Sequence, residues 1–236
     1  MTLVEHLNEL RSRIIISLAA LGITSALSFP FASSLLKILK LPASGLIDKL
    51  AFFSPQEAFL IYMRIAFLCG LAISMPVILY QLWAFVSPAV IEERLKKRAT
   101  YFILLCFMAF ILGGLFAYFI LIPPALRFLL SVASGQLEAV ISAGKYISFI
   151  ISLILGCGLV FEMPVLSFIL TKLGIINPRI LRKKYKYAVV IIFVIAAVIT
   201  PTTDVFNMLI LALPMLFLYE VSIWISFLAQ RKPPLS

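Results

Sequence analysis

Long apolar runs separated by short charged segments dominate the chain. Six of them read as membrane-spanning helices, roughly Ile14–Phe31, Ala58–Val86, Tyr101–Ile122, Tyr146–Leu170, Tyr187–Thr200 and Val205–Phe227. A span needs about 20 apolar residues, with a range near 17–25. Span five offers only about 14, which at about 1.5 Å of rise per residue reaches about 21 Å. A hydrocarbon core is about 30 Å thick. Span six meets Glu220 after about 15 residues, so its uncharged part is also short. Pro201-Thr202-Thr203-Asp204 joins the two into a shallow hairpin. Such a hairpin should thin the bilayer locally or recruit a partner that covers the mismatch.

The connecting segments carry their own signals. Ala32–Phe53 is mildly amphipathic, with Leu35, Leu36, Ile38 and Leu39 and then Leu46, Ile47 and Leu50. It predicts two short helices broken at Pro42 and Gly45, lying on the membrane or capping the bundle. Ser54-Pro55-Gln56-Glu57 is a helix start, with Ser as N-cap, Pro at the first helical position and Glu at the third. Pro76, Pro123-Pro124, Pro164 and Pro214 lie in or beside spans and should kink them. Gly113-Gly114 and the pair Gly156 and Gly158 allow close helix approach. No internal repeat is evident.

Composition agrees with the pattern. Of 236 residues, 63% are hydrophobic and only 13% charged, more apolar surface than a soluble domain of this size can hide. The chain reads as an all-α membrane protein with one polytopic domain over residues 1–236. Basic residues are distributed unevenly. The N-terminus, the 87–100 and 171–186 loops and the tail carry fourteen Lys and Arg, the opposite loops five, with Arg64 near a helix end. By the positive-inside rule both termini lie in the cytoplasm. The net charge of +10 is thus accounted for by topology and anionic headgroups, with no basic soluble module for nucleic acid. No cleavable signal peptide is expected, because the first apolar run is long and its flank mixes Glu5 and Glu9 with Arg11 and Arg13. Cys69, Cys106 and Cys157 all fall in spans and read as small hydrophobes without a metal-site spacing.

Three acidic positions carry the candidate chemistry. Glu162 sits within Tyr146–Leu170, and no basic residue lies between Lys145 and Lys172. A charge at mid-bilayer costs about 2.5–3.5 kcal/mol on insertion scales, so a carboxylate there is a functional candidate. The plainer account is a carboxyl held neutral or hydrogen-bonded inside the bundle. Glu5-His6-Leu7-Asn8-Glu9-Leu10-Arg11-Ser12-Arg13 and Glu92-Glu93 place acids on the otherwise basic face. Helical pairing of Glu9 with Arg13, Glu92 with Lys96 and Glu93 with Lys97 explains them, with a slight edge on spacing alone. The alternative is docking of a basic peptide, since a carboxylate accepts a guanidinium fork. His6, the single histidine, has no metal-ligand spacing and reads as structural. No nucleophile elbow, zinc motif or P-loop is present, so catalysis has no support and no cofactor is implied. A proton-coupled transporter using Glu162 remains open on the residues alone, though the missing repeats count against it.

Six ordered blocks then resemble one family. They are His6–Arg13; Ser54-Pro55-Gln56-Glu57-Ala58-Phe59; Pro76-Val77-Ile78-Leu79-Tyr80-Gln81-Leu82-Trp83-Ala84-Phe85-Val86-Ser87-Pro88; Phe161-Glu162-Met163-Pro164-Val165; Asp204-Val205-Phe206; and Leu211-Ala212-Leu213-Pro214 with Leu218-Tyr219-Glu220. The chain is similar to the TatC family, the multispanning receptor subunit of the twin-arginine protein translocase. The resemblance implies six transmembrane helices in a concave, glove-like bundle in the cytoplasmic (inner) membrane. It implies recognition of twin-arginine signal peptides on folded cargo. Glu9 and Glu93 would contact the two arginines, with Arg11, Phe85 and Pro88 shaping the site and Glu162 the polar group inside the bundle. Single-span Tat subunits (TatA and TatB type) would dock near Asp204, Val205 and Tyr219 in an oligomeric receptor complex. The proton-motive force would supply the energy. Two departures touch the last hairpin: Thr203 stands where the family commonly has proline, and Asn207-Met208 where it has Ser-Gln.

Overall fold

In a computed structural model of the protein, residues 3–47, 50–86, 99–133, 141–172, 174, 176–200 and 204–230 are described. All six apolar runs become helix. The order is α1 (Leu3–Ser28), a short 3-10 turn, α2 (Ala32–Lys40), β1 (Leu50–Ala51) and α3 (Pro55–Val86). Next come α4 (Ala99–Phe116), a π turn (Ala117–Leu121), α5 (Ile122–Ala133) and β2 (Ile141–Ser142). The chain continues through α6 (Ala143–Phe161), α7 (Met163–Lys172), α8 (Pro178–Lys183), α9 (Tyr185–Ile199) and α10 (Val205–Ala229). Five helical stretches among the described residues are long and apolar enough to cross a membrane. The remaining one, α9, has 15 residues and is short, as its sequence predicts. Helix α10 runs 25 residues straight through Glu220, so only its uncharged part is short.

Prolines account for the irregularities. Pro123 and Pro124 cannot donate to the carbonyls four residues back, and the turn ahead of them widens, the Ile122 N–H reaching the Ala117 carbonyl. Pro164 likewise denies a donor to Val160, and the helix breaks between α6 and α7 at Glu162. Pro76 and Pro214 sit inside continuous helices. One expectation fails. Among the described residues of Ala32–Phe53 there is one short α-helix, α2, followed by a 3-10 turn at Leu41–Ala43. Gly45 then adopts φ +79, which ends helical winding. Leu50 and Ala51 instead pair as a parallel strand with Ile141 and Ser142, satisfying backbone groups that a second helix was expected to satisfy.

The chain divides into two compact units, Met1–Met108 with Leu126–Ile151, and Ala109–Ala125 with Ser152–Ser236. In the first, α1 and α3 run antiparallel. Arg13 meets Gln81 near one end, Thr24 Oγ1 donates to the Gly70 carbonyl at 2.8 Å midway, and Phe29 meets Phe59 at 6.2 Å near the other. A methyl group built on Gly70 would lie 2.2 Å from Ser25 Oγ, so glycine is what lets the backbones close. The start of α3 is anchored as predicted: Ser54 Oγ accepts from the Glu57 N–H at 3.3 Å. Glu57 also clasps the second strand. Its Oε2 accepts from the Phe53 N–H at 2.8 Å, and its Oε1 accepts from the Gly144 N–H at 2.9 Å and from the Ser142 hydroxyl. These donors, the Phe53 N–H foremost, hold its carboxyl below the ordinary range. Tyr146 OH donates to the Leu39 carbonyl at 2.9 Å.

In the second unit, α4 and α6 touch through glycine. A methyl on Gly113 would sit 2.5 Å from the Cys157 carbonyl oxygen, and one on Gly158 would sit 2.7 Å from the Phe110 ring. Gly156 receives Ile199 of α9 in the same way. This is the close approach that the glycine pattern predicts, and between lipid-exposed helices such packing replaces the hydrophobic drive of a water-soluble core. Helices α7 and α10 meet along a small polar seam in which Thr171 Oγ1 donates to Ser226 Oγ at 3.0 Å.

Candidate functional site

A polar cluster forms where the N-terminal part of α1 meets the C-terminal end of α3. Glu9 and Arg13 share one face of α1 because they are four residues apart. Arg13 Nη1 donates to Gln81 Oε1 at 2.9 Å, while Nη2 lies 3.3 Å from Glu9 Oε1. Gln81 is only 8% exposed, and the Glu9 and Arg13 side chains retain 20% and 30% of their surface. Glu9 Oε2 is buried and has no hydrogen-bond partner. One turn earlier His6 stacks on Phe85, the ring centroids 4.4 Å apart and the planes 18° from parallel.

The predicted residues separate here. Glu9 and Phe85 fall in or beside the cluster. Arg11 is exposed on α1, on a different face from Arg13. Glu93 and Pro88, with Glu92 and its lysine partners, lie outside the described residues. The cluster adds three residues that were given no site role: Arg13, Gln81 and His6. Gln81 had a signal, since it is one of few strongly polar side chains inside the apolar run Ala58–Val86. Without the α1–α3 register nothing linked it to Glu9.

Glu162 is buried at 4% exposure, in the turn between α6 and α7. Its N–H donates to the Leu159 carbonyl at 3.2 Å and its carbonyl accepts from Leu166 at 2.9 Å, so its backbone stays tied across the break. Phe161 beside it meets Phe116 at 5.4 Å. The carboxyl is therefore carried at a buried turn, with the apolar Phe161 and Met163 beside it in sequence.

The residues expected at a partner surface lie apart. Asp204 N-caps α10, accepting from the Asn207 N–H at 2.7 Å and from the Asn207 amide at 2.9 Å. The Asn207 departure thus closes on the aspartate. Val205 beside it is exposed. Tyr219 lies about 21 Å further along the helix at 1.5 Å per residue. It is buried, its hydroxyl donating to the Leu181 carbonyl at 3.0 Å. Glu220 pairs with Arg182 of α8, which resolves how a charge is carried in the last span. No group of His, Cys, Asp and Glu suited to a metal ion occurs among the described residues.

The chain as a whole is similar to known proteins. A family model described as Sec-independent protein translocase protein (TatC) matches residues 5–214. A Sec-independent protein translocase protein TatC of Aquifex aeolicus (strain VF5) is 44% identical over 98% of this chain and 97% of the relative. One of Carboxydothermus hydrogenoformans is 41% identical over 98% of this chain and 95% of the relative. A crystal structure of the twin arginine translocase receptor TatC aligns with a TM-score of 0.86 at 42% identity, covering 96% of this chain and all of that one.

Proposed function

The chain belongs to the TatC family of Sec-independent protein translocase proteins, and on that premise we propose that it binds twin-arginine signal peptides and organises their export. As a family member it is a non-enzymatic, membrane-spanning component of a protein translocase, which sets aside the proton-coupled transporter alternative. The observation carrying the finer reading is the half-buried Glu9, built into a polar cluster at one end of α1 and α3. A carboxylate there matches a guanidinium in charge and in fork geometry. Glu93 takes the second arginine, and Arg11, Phe85 and Pro88 shape the site. Glu162 acts later, on the polar groups of an inserting signal or partner helix. Single-span Tat subunits of the TatA and TatB type dock along the α9–α10 hairpin, with Asp204 and the exposed Val205 at that surface, while the buried Tyr219 braces α10 against α8 from beneath it. The receptor is oligomeric, sits in the cytoplasmic membrane with both termini inside, and draws on the proton-motive force to move folded cargo.

Binding of a synthetic twin-arginine peptide to the purified protein tests this reading. Glu9→Ala or Glu93→Ala should weaken binding by about 1–3 kcal/mol, the range for loss of a charged hydrogen-bond partner. Unchanged affinity in both variants would overturn the assignment.

A further inference from the structure

Resting on that reading of Glu9, we infer that Arg13 and Gln81 form an exchange latch that makes Glu9 selective for arginine over lysine. The observation is an inversion of the expected contact lengths. Arg13 lies nearer to the neutral Gln81, at 2.9 Å, than to the carboxylate of Glu9, at 3.3 Å. A charge-assisted N–H···O contact ordinarily closes to about 2.7–2.9 Å. Arg13 is therefore anchored on α3 and touches Glu9 loosely, at one oxygen. The other oxygen, Oε2, is buried without a partner. The pair is neutral as a unit, yet the carboxylate is under-used.

An arriving cation must compete with Arg13 for Glu9. An ammonium ion is a point charge and gains little over the resident guanidinium. A guanidinium offers two parallel N–H donors, so it can engage Oε2 together with the oxygen that Arg13 holds loosely. Arg13 then withdraws onto Gln81, whose amide oxygen already accepts from it, and its guanidinium, 30% exposed, keeps solvent contact in place of the Glu9 charge. Gln81 lowers the cost of the exchange, and Arg13 sets the threshold. Specificity arises from the competitor that the wrong ligand fails to displace. Arg13 and Gln81 are positioning residues in this scheme, since both act through Glu9.

The test uses the full-length protein in nanodiscs and two fluorescent signal peptides differing only in an Arg-Arg or Lys-Lys pair. Arg13→Gln removes the competitor, so Lys-Lys binding should tighten and the Arg-Arg preference should fall by up to about fivefold, the span of one partly exposed ion pair. Gln81→Leu removes the anchor, leaving Arg13 to close on Glu9, so Arg-Arg binding should weaken. Thermal melting of each variant reports folding separately. If Arg13→Gln weakens both peptides equally or leaves their ratio unchanged, the latch is refuted. Glu9→Gln distinguishes the two levels: if it leaves Arg-Arg binding intact, the underlying assignment of Glu9 fails, whereas loss of binding there with an unmoved ratio in Arg13→Gln overturns the latch alone.

Discussion

Glu162 occupies a position that apolar residues could fill at less cost. A buried polar group in a membrane segment is retained against an insertion penalty of about 2.5–3.5 kcal/mol when ionised, so its removal should ease insertion and impair function. Glu162→Ala is expected to reach normal membrane abundance and export less of a folded twin-arginine reporter, with Glu162→Gln retaining more. Full export by the alanine variant at equal abundance would show the carboxyl to be merely tolerated. Glu162 was legible from sequence because a lone acid in an apolar run has no local explanation. Gln81 was not, because a neutral polar residue in a span has many explanations until its neighbour on another helix is known. The i,i+4 pairing of Glu9 with Arg13 was legible and is present, but spacing could not reveal that Arg13 holds more closely to a third residue.

At the scale of elements, the glycine contacts make a graded prediction. A Cβ at Gly113 would meet backbone atoms of Cys157, which cannot turn aside. At Gly158 it would meet the Phe110 ring, which can rotate away. At Gly22, exposed on α1, it would meet nothing within 4 Å. Overpacking costs about 1–3 kcal/mol, and Ala in place of Gly within a helix returns about 0.5–1 kcal/mol. Melting in detergent should therefore rank Gly113→Ala as most destabilised, Gly158→Ala next, and Gly22→Ala at or above the parent.

The Glu57 clasp gives a pH signature. Its carboxyl titrates lower in the folded protein than when unfolded, so its contribution is complete above the ordinary carboxylate pKa and is lost as pH falls through the lower folded value. Stability measured down an acid series should lose that component in the parent and lack it in Glu57→Gln. The cap at Ser54 and the short fifth span could be read directly, since each depends on residues close in sequence. The Leu50–Ala51 strand could not, because its pairing partner lies about ninety positions away and neither dipeptide has a strand pattern of its own.

For the molecule as a whole, span lengths set how it meets the bilayer. Helix α9, at 15 residues and 1.5 Å per residue, is about 22 Å long, some 8 Å under a typical core. Unassisted, such a helix favours thinner lipid. Covered by a partner helix, it tolerates ordinary thickness. Cysteines placed along Val189–Val198 should crosslink to a single-span partner on one helical face. Crosslinks confined to α1 or α4 would place the partner elsewhere. Lengthening α9 by one helical turn should weaken that crosslinking while leaving the peptide site at Glu9 unaffected.

The clasp at Glu57 also dictates an order of assembly. During synthesis α1 and α3 can pair as soon as both have emerged, because everything between Gly70 and Thr24 is already made. The Phe53 N–H and Ser54 hydroxyl can engage the same helix start at once. The remaining acceptor sites of Glu57 must wait for Ser142 and Gly144, which follow two further helical segments. A chain ending before Ser142 would leave the Glu57 carboxylate with the Phe53 N–H as its donor and Leu50–Ala51 without its strand partner. Ser142 and Gly144 close both together, so this small junction forms only after α4 and α5 have been made.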